Sequence, residues 1–494
     1  MIKKLTSLLL ALCVILSMSA TVFAADSSSI TLTGAQEGHT FEAYQVFKGT
    51  KDGTNLNKIQ WGDGVDSDAL LTDLKKLDAY KDCKTAAAVA KVLSEQTTAT
   101  AADDFAKIVA KHLVAAKAKT GTSDEDGKCA INVGNDGYYF VKDTTDVDGE
   151  DDSITKFILK VVGNETVEVK ADKPGVDKVI AEADSANGQD GKGTAVNVGD
   201  TVTFKVTSTV PKMDGYTSYD FIVNDTMSEG LTLVDDSVKI TIDGKDYTAF
   251  TEKIDGQKIT ITFNDFINQK DNAGKAIVIS YDAVLNSKAL TTDKENNTVK
   301  LTYSNNPNDT SKHGTTPEKK TYVFDFDLVI DKYDGADSTK ATKLEGAKFV
   351  LMNADGKYYS YDADNKKVVW VDSQDDATPK TTDANGATSF IGIDAGTYQL
   401  VETEAPEGYN LIKDPVEVKI TATYNKDGTL ADSSATIENN GQYKQTAHVE
   451  NNSGMVLPST GGIGTKIFYG LGSLLAIAAV ILLVSRKRMS NDAK

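Results

Sequence analysis

"TVTFKVTSTV", Thr201–Val210, decides how the chain is to be read. Apolar and β-branched residues alternate along it with polar ones, as on a strand with one face buried. It has company: "VKITID" (238–243), "KITITF" (258–263), "AIVISYDAVL" (276–285) and "TVKLTY" (298–303) repeat the pattern. Asn, Asp and Gly turns separate these runs. A series of short strands with turn residues between them predicts a β-sandwich over residues 172–322.

Two further modules flank this one. Residues 25–171 are mixed. "ITLTGAQEGHTFEAYQVFKG" reads as strand, turn, strand, and strands resume at 130–142 and 156–170. Between them an Ala-, Leu- and Lys-rich stretch of about 68–118 carries Phe105, Ile108, Val109, His112 and Leu113 at helical spacing, which predicts a helical insertion. Lys173-Pro174 marks the first boundary, and the polar run "NNPNDTSKHGTTPEKK" (305–320) leads to the second. Residues 323–456 are again all-β. The expected fold is therefore mainly β: tandem Ig-like sandwiches in an elongated rod, with the helical insertion in the first module.

The two ends set the compartment. Residues 1–24 combine Lys3 and Lys4, an apolar run from Leu8 to Leu16, and Val22-Phe23-Ala24, the pattern of a cleaved secretory signal. Residues 467–484 are apolar or small and long enough to span a bilayer, with Arg486, Lys487 and Arg488 behind them on the cytoplasmic side. The formal net charge is −19, and loss of the basic ends makes the mature chain more acidic still. Such a surface repels nucleic acid. Cys13 leaves with the signal, so Cys83 and Cys129 remain, either as one disulfide or as two buried thiols.

The third module holds an oddity. In "YQLVETEAPEGYN", Tyr398–Asn410, period two puts Glu402 on the face of Tyr398 and Leu400. An unpaired buried carboxylate is costly. In "VFDFDLVIDK", read as one strand over 323–332, Lys332 follows Phe324, Phe326, Leu328 and Ile330 on one face, with Asp325, Asp327 and Asp331 opposite. In "TAHVEN", 446–451, Asn451 shares a face with Ala447 and Val449. Burial pushes a lysine towards the neutral amine and a glutamate towards the acid. Held at reactive distance, the three would form a Lys332–Asn451 isopeptide with loss of ammonia, Glu402 acting as the acid. The plain alternatives are a lysine that snorkels past the sheet edge or a half-buried Lys332–Glu402 ion pair. The second module repeats the arrangement. Lys178 in "GVDKVI", Asp225 in "YDFIVND" and Asn297 in "NTVKLTYSNNP" lie on apolar faces, with Asn305 on the same face as Asn297.

"YQLVETEAPEGY" resembles the E-box of sortase-assembled pilins and related Cna B-type domains, and its first Glu falls at Glu402. "LPSTGG" (457–462), followed by the apolar span and basic tail, resembles the cell-wall sorting signal of Gram-positive surface proteins. The second module resembles the Cna A-type domain of backbone pilins, in which an Asp takes the acid role, and Thr33–Thr50 is similar to the opening of their first domain. The resemblance implies that Leu457, Pro458, Ser459, Thr460 and Gly461 form the motif a pilus-specific sortase cuts between Thr460 and Gly461. It implies as partners identical subunits joined head to tail, minor or tip pilins, and peptidoglycan, on a chain secreted to the cell wall. The acceptor it implies is a lysine just after the last strand of module one: Lys170 in "VEVKADKPGVDK", or Lys173, the family's Pro before the lysine being replaced by Val169. The other reading is a singly wall-anchored adhesin or tip subunit that binds a host ligand and needs no acceptor lysine.

No P-loop, H-E-x-x-H or G-x-S-x-G motif occurs, and the four histidines (His39, His112, His313, His448) are dispersed. "DVDGEDD", 146–152, lacks EF-hand spacing and reads as a solvated acidic turn. Neither a cofactor nor a metal is expected, and no turnover enzyme.

Overall fold

Among the described residues the alternating runs form six sheets, two in each of three units along the chain. The computed structural model describes residues 28–453, except 53–54, 97–98, 163–164, 170, 182–190, 293, 336–341, 432–435 and 438–442, together with 469–481. The signal segment, Lys170 and the sorting residues Leu457–Gly461 lie outside the described residues. Residues 469–481 are helical. No described helix is long and apolar enough to cross a membrane, and the span expected over 467–484 lies partly outside the described residues.

In the first unit one sheet runs Cys129–Asn132, Ser29–Thr33, Glu165–Glu168, and the other Asn55–Trp61, Thr40–Asp52, Gly137–Asp143, Ile158–Val162. The Ala-rich stretch forms three α-helices, Ser67–Leu74, Ala86–Glu95 and Ala99–Val109. Asp66 and Thr85 cap the first two, each accepting a 3.2 Å bond from a first-turn N–H. Leu70, Leu74, Val89, Phe105 and Val109 bury one stripe of this insertion against Phe47 and Phe140. A separate cluster around Ile30, Leu32, Phe41 and Ile131 fills the space between the sheets. Cys83 belongs to the first cluster and Cys129 to the second, and both are free. The disulfide alternative is thus corrected: each cysteine is a small hydrophobe in its own core.

The second unit is a sandwich. One sheet orders Gly193–Ala195, Lys319–Phe324, Glu295–Ser304, Phe221–Met227, Lys258–Phe263, Phe250–Asp255. The other orders Lys245–Asp246, Lys239–Ile242, Ala276–Leu285, Thr201–Thr209, Val176–Ile180. The third unit pairs Phe326–Asp334 with Tyr443–Asn451 in parallel, and Gly396–Glu404 lies in the facing sheet between Lys348–Met352 and Val416–Ile420.

"VFDFDLVIDK" is not one strand. Val323 and Phe324 pair with Glu295 and Ala195 in the second unit, and Phe326 begins the third. The chain passes between sandwiches at Asp325, a few residues beyond the expected boundary. Asp327, expected on an outer face, is buried, with Gly392 N–H donating to its Oδ1 at 3.3 Å. Periodicity describes one strand at a time and does not register that the adjoining strand, Ala387–Ile393, supplies Asp327 with a backbone donor. At the same junction Val198 N–H donates to Gly392 O and Val368 N–H to Val198 O, at 2.9 and 2.7 Å. Gly392 has φ +69°, and a Cβ there would meet Val198 and Leu290 at under 3 Å, so only glycine fits.

The acidic turn "DVDGEDD" joins the first unit to the second. Gly149 N–H donates to His313 O at 2.7 Å, Asn305 Nδ2 to Val147 O at 2.6 Å and Ile154 N–H to Asn305 O at 2.9 Å. Behind it, buried His39 contacts Asp143 at 2.7 Å through Nδ1 and Asp152 at 2.8 Å through Nε2. A turn read as solvated is therefore a strap, held from one side by an imidazole and from the other by the second sandwich.

Candidate functional site

The third unit brings Lys332, Glu402 and Asn451 together. Lys332 lies on the first strand of the unit and Asn451 on its last. These strands are parallel neighbours, with Lys332 opposite Val449, so Asn451 lies two residues further on the same face. Glu402 reaches them from the opposite sheet. The three are 0%, 5% and 1% exposed. Lys332 Nζ donates to Asn451 Oδ1 at 2.5 Å and to Val449 O at 3.2 Å, and it stands 3.6 Å from Glu402 Oε1. Asn451 Nδ2 donates to Glu402 Oε1 and Oε2 at 3.1 and 3.3 Å and to Asn410 O at 3.1 Å. The Ile412 N–H donates to Glu402 Oε2 at 2.8 Å. The turn after Glu402 thus helps to hold both the carboxylate and the amide. Glu404 points outward and pairs with Lys348 at 2.6 Å.

Burial pushes the Lys332 ammonium down to about 8, against the raising effect of the Glu402 carboxylate. Its Nζ also lies 5.9 Å from the Phe349 ring centre. A lysine in this setting gives up a proton far more readily than one in water, and its neighbour is a carboxylate that can take it.

The second unit assembles Lys178, Asp225 and Asn297, which are 0%, 1% and 0% exposed. Here the lysine comes from one sheet, and the acid and the amide from the other. Lys178 Nζ contacts Asp225 Oδ2 and the Tyr281 hydroxyl, and Asn297 Nδ2 donates to the same hydroxyl at 2.8 Å. Burial lowers the Lys178 pKa, opposed by Asp225. Among the described residues, Asp225 Oδ1 and Asn297 Oδ1 have no hydrogen-bond partner. Asn305 is turned towards the first unit, where its amide meets Val147 O. It does not join this cluster.

Lys173 is half-buried, and its ammonium contacts Asp151 Oδ2 at 3.1 Å and the Asp151 carbonyl. Three participants escaped the sequence reading: Tyr281, the Asn410 carbonyl and the Ile412 N–H. For Tyr281 a signal existed, since the alternation of "AIVISYDAVL" puts its hydroxyl among Ile277, Ile279 and Ala283 on the buried face. The two backbone groups belong to a loop, where no period applies.

Residues 327–441 match the SpaA family of prealbumin-like fold domains, and residues 450–491 match the LPXTG cell wall anchor motif. The chain is 28% identical over 298 residues to the trypsin-resistant surface T6 protein of Streptococcus pyogenes serotype M6, covering 55% of this chain and 49% of that one. It is also 28% identical over 342 residues to the fimbrial subunit type 2 of Actinomyces naeslundii, covering 61% and 59%. The chain thus spans about half to three-fifths of the length of these curated relatives. Among solved structures, the T6 backbone pilin of serotype M6 S. pyogenes superposes with a TM-score of 0.58 at 16% identity, over 87% of this chain and 99% of that one. The full-length major pilin SpaD of Corynebacterium diphtheriae does so with a TM-score of 0.51 at 16% identity, over 86% and 97%. These superpositions show a shared fold. The chain is a mainly β cell-wall surface protein with a SpaA-type domain and an LPXTG anchor motif, and its relatives are pilin and fimbrial subunits.

Proposed function

We propose that this chain is the shaft subunit of a covalently polymerised cell-surface pilus, and that each of its last two sandwiches closes an internal Lys–Asn isopeptide bond. The reading rests above all on the buried Lys332–Glu402–Asn451 cluster, which links the first and last strands of the third unit. A proton passes from Lys332 to Glu402 and leaves a neutral amine beside an acid. Nζ attacks Cγ of Asn451 while Glu402 protonates Oδ1. The tetrahedral centre then collapses. A proton from Nζ reaches Nδ2 through Glu402, the Cγ–Nδ2 bond breaks, and ammonia leaves. As the Cγ–Nδ2 bond breaks, Oδ1 returns its proton to Glu402 and reforms the carbonyl; ammonium plus amide has become isopeptide plus ammonia, and Glu402 holds the proton that Lys332 first gave up. Lys178, Asp225 and Asn297 close the corresponding bond in the second unit.

The bonds suit a load-bearing shaft. Tension enters each sandwich near its lysine and leaves beyond its asparagine, so the residues between the two are bypassed. The relatives' names, fimbrial subunit and surface T6 protein, agree with such a role. Sortase would cut at Thr460 and pass the acyl group to Lys170 of the next subunit. Lys173, already engaged with Asp151, is the lesser acceptor.

An immunoblot of boiled cell-wall extracts tests the shaft role. A high-mass ladder in the wild type that is lost in Lys170→Ala is the expected result. A single monomeric band in the wild type would replace this reading with the singly anchored adhesin.

A further inference from the structure

The geometry points to Tyr281 as a fourth catalytic group of the second sandwich, relaying a proton from the Lys178 amine to the departing amide nitrogen of Asn297. This rests on the isopeptide reading above and adds a residue to it.

The two clusters differ in one respect. In the third unit the carboxylate touches the amide directly, with Glu402 accepting from Asn451 Nδ2. In the second unit the acid is an aspartate, one methylene shorter. Asp225 meets Lys178, while Asn297 Nδ2 donates to the Tyr281 hydroxyl at 2.8 Å. That hydroxyl also contacts Lys178 Nζ. It therefore stands between the two nitrogens that must exchange a proton. Tyr281 is itself buried, on the Ala276–Leu285 strand of the lysine's sheet. Burial, followed by the Asp225 carboxylate, holds its phenol well above the ordinary range, so it stays an O–H that both donates and accepts.

The steps balance as follows. Lys178 gives a proton to Asp225, and Nζ attacks Cγ of Asn297. Asp225 delivers its proton to Oδ1, supplying the donor that this orphaned oxygen lacks. In the tetrahedral intermediate Nδ2 is no longer a planar amide and carries a lone pair. The Tyr281 oxygen takes a proton from Nζ as its own proton moves to Nδ2. The Cγ–Nδ2 bond breaks and ammonia departs, while Oδ1 returns its proton to Asp225 and reforms the carbonyl. Asp225 then holds the proton that Lys178 first gave up, and Tyr281 is unchanged.

The test follows pulse-labelled full-length chain by tryptic mapping, with the Lys332–Asn451 linked peptide as the internal reference. In Tyr281→Phe the Lys178–Asn297 linked peptide should appear about 100-fold or more slowly, the usual loss for a proton-transfer group, while the reference forms on time. Equal rates in the variant and the wild type overturn the relay and leave the isopeptide reading standing. A wild type without the Lys178–Asn297 peptide overturns both. If Tyr281→Phe gives no cooperative melt of the second unit, Asp225→Glu/Tyr281→Phe is read instead, because the longer acid reaches the amide without a hydroxyl. A linked peptide restored there supports the relay, and one still missing counts against it.

Discussion

Lys332 Nζ lies 2.5 Å from Asn451 Oδ1, across two parallel strands that open and close the third sandwich. In the proposed shaft, the contact would join the points where pulling force enters and leaves the unit. A hydrogen bond at that place yields under load, whereas an isopeptide does not. In the proposed reaction the buried carboxylate of Glu402, which accepts from Asn451 Nδ2, would turn one into the other.

Glu402→Ala should abolish the Lys332–Asn451 linked peptide and leave the Lys178–Asn297 peptide intact. A crosslink closing a loop of this size is worth about 5 kcal/mol on the chain-entropy scale used for disulfides. The melting temperature of the third unit should therefore fall by more than about 10 °C in calorimetry. An intact linked peptide would clear Glu402 of the role.

Force spectroscopy offers a second check. With both bonds formed, residues 179–296 and 333–450 stay unextended. Glu402→Ala frees the third unit, and single-molecule pulling should then gain a step of roughly 400 Å, at about 3.4 Å per residue. The wild type should lack that step.

The two asparagines of the second unit should behave differently. Asn297→Ala should remove the second crosslink. Asn305→Ala should keep it and instead strip the Val147 carbonyl of its partner, weakening the strap by about 1–3 kcal/mol. Linked-peptide mapping and the protease sensitivity of residues 146–157 separate the two outcomes.

The strap should also be sensitive to alkali. Burial alone would lower the His39 pKa, but the hydrogen bonds to Asp143 and Asp152 outweigh it and hold it at about 9, against 6.5 in the unfolded chain. The folded state therefore binds the extra proton. Its stabilising effect is complete below pH 6.5 and is lost as pH rises through about 9, by up to about 3 kcal/mol. Thermal melts of the first unit from pH 6 to 10 should show the decline, and His39→Gln should flatten it.

Much of this was legible in the residues. Period two placed Lys332, Glu402, Asn451, Lys178, Asp225 and Asn297 on buried faces, because one side of each strand packs on a core. It did not separate Asn297 from Asn305, which are both buried. The difference lies in what covers them: Tyr281 over one, and the strap of the first unit over the other. The same limit hid Asp327, which is buried where the adjoining strand's Gly392 N–H meets it. His39 went unread because its partners lie more than a hundred residues away, one of them in a turn whose composition spoke for solvent. The sequence left Cys83 and Cys129 open between one disulfide and two buried thiols, and in the fold they sit in separate cores.

The most direct test is the intact mass of the unpolymerised soluble chain, freed of its signal and sorting segments. Two internal isopeptides predict a mass below that of the processed sequence by two molecules of ammonia, with Lys178→Ala and Lys332→Ala each restoring one. A mass equal to that of the processed sequence would contradict the account.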